Sequence, residues 1–126
     1  MYTDFTSISW EEAVRSFLIH LKAVRAHKTV LFYSVQLGQL TQWAEQNKIP
    51  LVSFGKRHLD EYLVYRLDAG RSQTTLHHDA VCAKAFMKWC QRNDVIPRSL
   101  LADYEVRDAP TPPKYMPSEQ DIRSLL

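Results

Sequence analysis

Glycine is scarce in this chain of 126 residues, three in all, and cysteine scarcer still, two. Three glycines cannot build the loops that cradle nucleotide phosphates, and no GxxxxGK[ST], GxSxG or HExxH run occurs. Cys82 and Cys90 lie in a helical pattern without Cys-x-x-Cys spacing, which predicts buried free thiols and excludes a disulfide framework or zinc ribbon. His77 and His78 are adjacent, so they cannot face one way on a helix and do not make a two-histidine metal site. Acids come singly or in pairs such as Glu11 with Glu12 and Asp60 with Glu61, the pattern of a solvated helix face. No catalytic residue, metal or cofactor is expected. No apolar run approaches the roughly 20 residues that cross a bilayer, and MYTDFTSISW lacks the basic start and apolar stretch of a signal peptide. A cytoplasmic protein with no membrane partner is expected.

What is present is helical. Hydrophobic residues make up 45% and charged residues 24%, ordinary for one globular domain. With no Asn-Gly or Asp-Gly hairpin signal, and apolar residues recurring at three and four, the chain reads as all-α. The first helix is expected from about Ser9, its N-cap, to about Ala26, burying Val14, Phe17, Leu18, Leu21 and Val24. A second runs from about Thr29 to Asn47 on Tyr33, Leu37, Leu40 and Ala44 with Trp43 beside them, and the loop NKIP stops it. A third, about Gly55 to Asp68, turns Leu59, Tyr62, Leu63 and Leu67 inward before the stop DAG. The fourth, Ser72 to about Asn93, buries Leu76, Ala83, Phe86, Met87 and Cys90. Short connections imply two helical hairpins packed as a four-to-five-helix orthogonal bundle.

The ending differs in kind. Pro110, Pro112, Pro113 and Pro117 predict an extended tether, and Ser118 a helix cap followed by Ile122, Leu125 and Leu126, an apolar stripe with nothing after it to cover it. Residues 1–107 are therefore expected to be one domain, and 108–126 a linker with the start of a further, missing domain.

The net charge of +2 hides a gradient. Residues 1–21 and 93–126 each hold two more acids than bases, while residues 22–92 hold eleven Lys and Arg against five Asp and Glu. Positive charge gathered in the folded middle suits a polyanionic partner. The candidate contacts are Arg25, His27, Lys28 and Thr29 between the first two helices. Arg71, Ser72, Gln73, Thr74, His77, Lys84 and Lys88 at the fourth helix join them. On the second helix Gln39, Gln42 and Gln46 lie opposite the apolar stripe, and for Gln42 and Gln46 a merely solvated face is the expectation.

The ordered segments resemble the N-terminal core-binding domain of tyrosine recombinases of the phage-integrase type. An opening helix SFLIHLKAVRAHK, a Thr-x-x-x-Tyr start at Thr29 and Tyr33, and Leu37, Leu40 and Trp43 carry the resemblance. It continues through HLDEYLVYRLDAGRSQTTL and the aromatic element AKAFMKWC, and PSEQDIRSLL resembles the helix that opens the family's catalytic domain. The family often carries Asn-Pro after the fourth helix, where this chain has Ile96 and Pro97. The resemblance implies a SAM-like fold, a double-stranded DNA partner, and other recombinase protomers as partners of the full-length protein. It also implies a parent enzyme that cuts and rejoins DNA through a tyrosine nucleophile. None of that catalytic apparatus matches these residues, so Tyr33, Tyr62 and Tyr115 are not read as nucleophiles. The fragment is expected to be monomeric and to bind without cutting, as half of a clamp on the recombination site. Two rivals remain: a SAM-like protein-interaction module, and a helix-turn-helix regulator built on the third and fourth helices across DAGR.

Overall fold

A computed structural model describes residues 8–106. Four α-helices follow in order, α1 (Trp10–Val24), α2 (His27–Gln46), α3 (Lys56–Asp68) and α4 (Gln73–Arg92), with a 3-10 turn at Leu51–Ser53. Among the described residues no strand forms, and an isolated bridge joins Gly55 to Leu100. The all-α architecture expected from the sequence is what the structure has; the Pro-rich tail and the helix start at Ser118 lie outside the described residues.

Local chemistry explains each boundary. The Ser9 side chain accepts from the Glu12 amide at the start of α1, and Ser72 accepts from Thr75 at the start of α4. Gly70, at φ +89, ends α3: its amide bonds the Leu67 carbonyl, and the Arg71 amide bonds that of Arg66. That paired closure needs a left-handed residue, which glycine adopts without strain. The first helix stops two residues earlier than expected and the second starts two earlier, because only Arg25 and Ala26 are extended. Val24, expected inside, is 53% exposed as the last residue of α1, and Leu67 is 44% exposed on α3.

The core is aromatic. Trp10 stacks over Phe86 at 6.2 Å and meets Phe54 edge-on at 5.2 Å, while its indole N–H donates to the Ile49 carbonyl at 2.8 Å. Phe17 packs on Phe86, Trp89 and Tyr33. Ala13, Leu21, Leu37, Leu40, Ala44, Leu59, Tyr62, Ala83, Met87 and Cys90 complete the buried layer. Phe54, Ile96 and Leu101, from connections that the helical pattern does not cover, are as buried as any helical residue. Burial pushes the Cys82 and Cys90 thiols up to about 12, so both stay neutral packing groups.

The two hairpins are copies of one plan. α3 (Lys56–Asp68) begins 46 positions after α1 (Trp10–Val24), and α4 (Gln73–Arg92) begins and ends 46 positions after α2 (His27–Gln46). In that register Leu21, Ala23, Arg25, Thr29, Val35, Trp43 and Asn47 face identical counterparts Leu67, Ala69, Arg71, Thr75, Val81, Trp89 and Asn93. The long helices end alike: the Asn47 amide donates to the Trp43 carbonyl at 2.8 Å and Asn93 to Trp89 at 2.9 Å. Lys48 and Asp94 follow at φ 55 and 59, and the next amides, Ile49 and Val95, turn back to Ala44 and Cys90. Contacts between the halves are reciprocal. Trp43 packs on Tyr62 and Tyr65 of α3, Trp89 on Phe17 and His20 of α1, and Phe32 meets its own counterpart His78 at 5.6 Å. A contact between counterparts together with this exchange of aromatic partners is the arrangement that an approximate two-fold between the hairpins, passing between Phe32 and His78, would give.

Candidate nucleic-acid interface

The sequence-predicted positions divide into a cluster near this axis and a set along the outer flank of α4. Arg25 sits in the two-residue joint before α2, and His27, Lys28 and Thr29 form the first turn of α2, where a connection was expected. Arg71 and Ser72 sit in the matching joint before α4, with Gln73 and Thr74 in its first turn. Arg25, His27, Lys28, Arg71, Ser72, Gln73 and Thr74 are all exposed, and Thr29 is half-buried. The two helix starts converge because Phe32 and His78, each in the second turn of its helix, touch. Ser72 is committed locally, its hydroxyl lying 3.1 Å from that of Thr75 as well as capping the helix. Ala26 offers α2 no side-chain cap.

The outer flank of α4 is more engaged than its sequence suggests. The Lys84 ammonium donates to the Tyr104 carbonyl at 2.8 Å, so this half-buried side chain fastens the segment that follows α4 while keeping its charge and two further donors. The Tyr104 hydroxyl in turn donates to Asp60 of α3 at 2.7 Å. Gln73 and His77 line the groove that Tyr104 and Val106 close between α3 and α4. Lys88 is exposed, farther along α4.

Electrostatics at the α2/α4 surface follow from one buried pair. Residues 13–44 contain no Asp or Glu, and residues 69–93 contain one, Asp79. Asp79 is buried in the inner face of α4, where it accepts from the Arg66 Nε of α3 at 2.9 Å. Burial is the largest single influence and disfavours the Arg66 charge, but the hydrogen bond to Asp79 together with the attraction of Tyr62, Asp79 and Tyr65 outweighs it and holds the guanidinium above its ordinary value. Tyr62 is raised as well, first by burial and then by the Asp79 carboxylate. The acid is thereby spent inside. The surface charge of both stretches is left basic: Arg15, Lys22, Arg25 and Lys28 on one, Arg71, Lys84, Lys88 and Arg92 on the other.

Two residues escaped the sequence analysis, Phe32 and Gln36. Phe32, 37% exposed, lies off the apolar stripe of α2, and its seven-residue lead on Gln39 places it on the flank shared with Gln36 and Gln39. Gln36 and Gln39 each bury a side-chain oxygen without a protein partner. An aromatic outside the core stripe was the available signal. Gln42 and Gln46 line a groove between α1 and α2. Among the described residues no cluster of His, Cys, Asp and Glu could hold a metal ion, and no helix is long and apolar enough to cross a membrane.

No curated protein sequence matches the chain. The crystal structure of the N-terminal domain of a phage integrase/site-specific recombinase from Haloarcula marismortui superposes with a TM-score of 0.72 at 25% identity. The match covers 79% of this chain and 97% of that one. Residues 14–94, from within α1 to just past the end of α4, match the model of the N-terminal SAM-like domain of phage integrases. The chain belongs to the phage integrase N-terminal SAM-like domain family.

Proposed function

We propose that this domain is the core-binding part of a site-specific tyrosine recombinase, gripping double-stranded DNA from one side without cutting it. The observation that carries the reading is the removal of the one acid of residues 69–93 into the buried Asp79–Arg66 pair, which leaves Arg25, His27 and Lys28 at the start of α2 and Arg71 at the start of α4 with no surface acid within either helix start. Arg25, His27, Lys28 and Thr29 from one hairpin and Arg71, Ser72, Gln73 and Thr74 from the other would meet phosphates and groove edges. His77, Lys84 and Lys88 extend the same potential along α4. Most of these contacts position the domain and carry little sequence information. Residues 108–126 would tether the domain to a catalytic partner domain, and full-length protomers would assemble on the site.

The test is duplex binding by fluorescence anisotropy across a salt series. Affinity should fall linearly on a log-log plot, and Lys28→Ala or Lys84→Ala should each reduce the slope by roughly 0.9. An unchanged slope removes that lysine from the interface, and absence of salt-sensitive retention overturns the reading. A second reading, a protein-interaction module, is favoured by one feature: the open α1/α2 groove, where Ile19 is 62% and Leu31 52% exposed. An amide-resolved titration with a short duplex separates the two, with shifts near residues 25–36 and 71–88 expected for DNA and none for the alternative.

A further inference from the structure

The internal repeat constrains how the two halves can meet a duplex. Residues related by a two-fold lie at equal heights along its axis and at equal distances from it. Arg25 and Arg71 are such counterparts, identical in kind and both exposed, each second before the long helix that follows, Arg25 in a two-residue joint and Arg71 in a four-residue one. Phe32 and His78, exposed counterparts 5.6 Å apart, would flank such an axis at the surface. A surface approached along this axis therefore meets both arginines or neither. Duplex DNA has two-fold axes of its own, perpendicular to the helix, which exchange its antiparallel strands.

We propose that the internal two-fold of the domain sits on a two-fold of the duplex, so that Arg25 binds a phosphate of one strand and Arg71 the matching phosphate of the other, across a single groove. This rests on the DNA-binding reading and adds to it a strand assignment for each hairpin. The symmetry is imperfect in a way that has consequences. Lys28 has Thr74 as its counterpart, so the strand facing the first hairpin receives one more positive charge. The two arginines alone would hold the duplex equally well after a half-turn about the axis. Lys28 breaks that degeneracy and lets flanking sequence choose an orientation.

The experiment uses the 126-residue chain and duplexes in which one phosphate at a time is replaced by a neutral methylphosphonate. Two groups of sensitive positions are expected, one on each strand, related by a local two-fold across one groove. Arg25→Ala should abolish the sensitivity at one phosphate of one strand, leaving that due to Lys28, and Arg71→Ala that at the two-fold-related phosphate of the other. Each should lower the log-log salt slope by about 0.9, and the double variant by about 1.8. Both side chains are exposed and neither joins an ion pair among the described residues, and circular dichroism of each variant checks that the helices are intact. Loss of sensitivity on the same strand in both variants overturns the assignment while leaving DNA binding standing. So does an effect of only one arginine. A parent chain that shows no salt-sensitive binding to any duplex overturns the functional reading itself, which is a different result from either.

Discussion

The α1–α2 and α3–α4 hairpins share a register and end their long helices with the same Trp-to-Asn closure, yet they are held together by different forces. In the first, Phe17 packs edge-on against Tyr33. In the second, the counterpart of Tyr33 is Asp79, which is bound to Arg66. The grooves differ too. The one between α3 and α4 is closed by the chain itself through Tyr104, held by Asp60 and Lys84. The counterparts of those two residues are Val14 and Gly38, and the α1/α2 groove stays open and apolar. One plan thus gives an apolar half with an open flank and a polar half whose groove is narrowed by the chain's own following segment. Burial of charge, and not helix geometry, separates them.

The buried ion pair is where that contrast can be broken most sharply. Asp79→Ala should cost about 3–5 kcal/mol in urea unfolding, since it strands the Arg66 charge in the interior. Replacing both partners, Arg66→Met with Asp79→Leu, should recover most of the loss; a double variant as unstable as the single one would mean that packing and not charge sets the cost.

Alkali should also distinguish the halves. Cys82 and Cys90 are raised by burial from 9.0 to about 12, and their counterparts Gln36 and Ala44 do not ionise. An acid whose folded value is raised leaves stability unchanged below its unfolded value and withdraws it as pH climbs above that. Stability should therefore hold to about pH 9 and fall between there and about pH 12, as unfolded thiols ionise and folded ones cannot. Cys90→Ala should flatten that decline, and an identical pH profile in the variant would contradict the burial argument.

Smaller changes test the helix starts. Ser72→Ala removes the cap of α4 and should cost about 1 kcal/mol, whereas Ala26→Ser supplies the missing cap of α2 and should gain up to about the same. Equal behaviour at the two sites would show that their different caps do not matter. Gly38→Ala should stabilise by up to about 1 kcal/mol, because a Cβ there meets nothing within 4 Å and mid-helix glycine is a poor helix former.

Much of this was legible beforehand for a local reason. Ser9, Gly70, Ser72 and the spacing of Leu37, Leu40 and Ala44 act within a turn or two of themselves, so the helices could be read off to within two residues. Val24 and Leu67 were misjudged because their helices end, or turn to the edge, before a partner covers them. Phe54, Ile96 and Leu101 were missed because connections have no periodicity to betray burial. The internal repeat escaped notice since it preserves positions of elements far better than it preserves side chains.

Composition and pattern alone determined that the chain would be helical, that its apolar stripes would pair into hairpins, and that basic residues would concentrate in the middle, because hydrophobic periodicity and net charge are properties of short stretches. Only the tertiary structure decided which charges face out. Whether Asp79 cancels the surface or disappears beneath it depends on Arg66, thirteen residues away on another helix. Whether Arg25 and Arg71 act together depends on two helices meeting at Phe32 and His78. Those are distances between elements, and sequence spacing does not encode them.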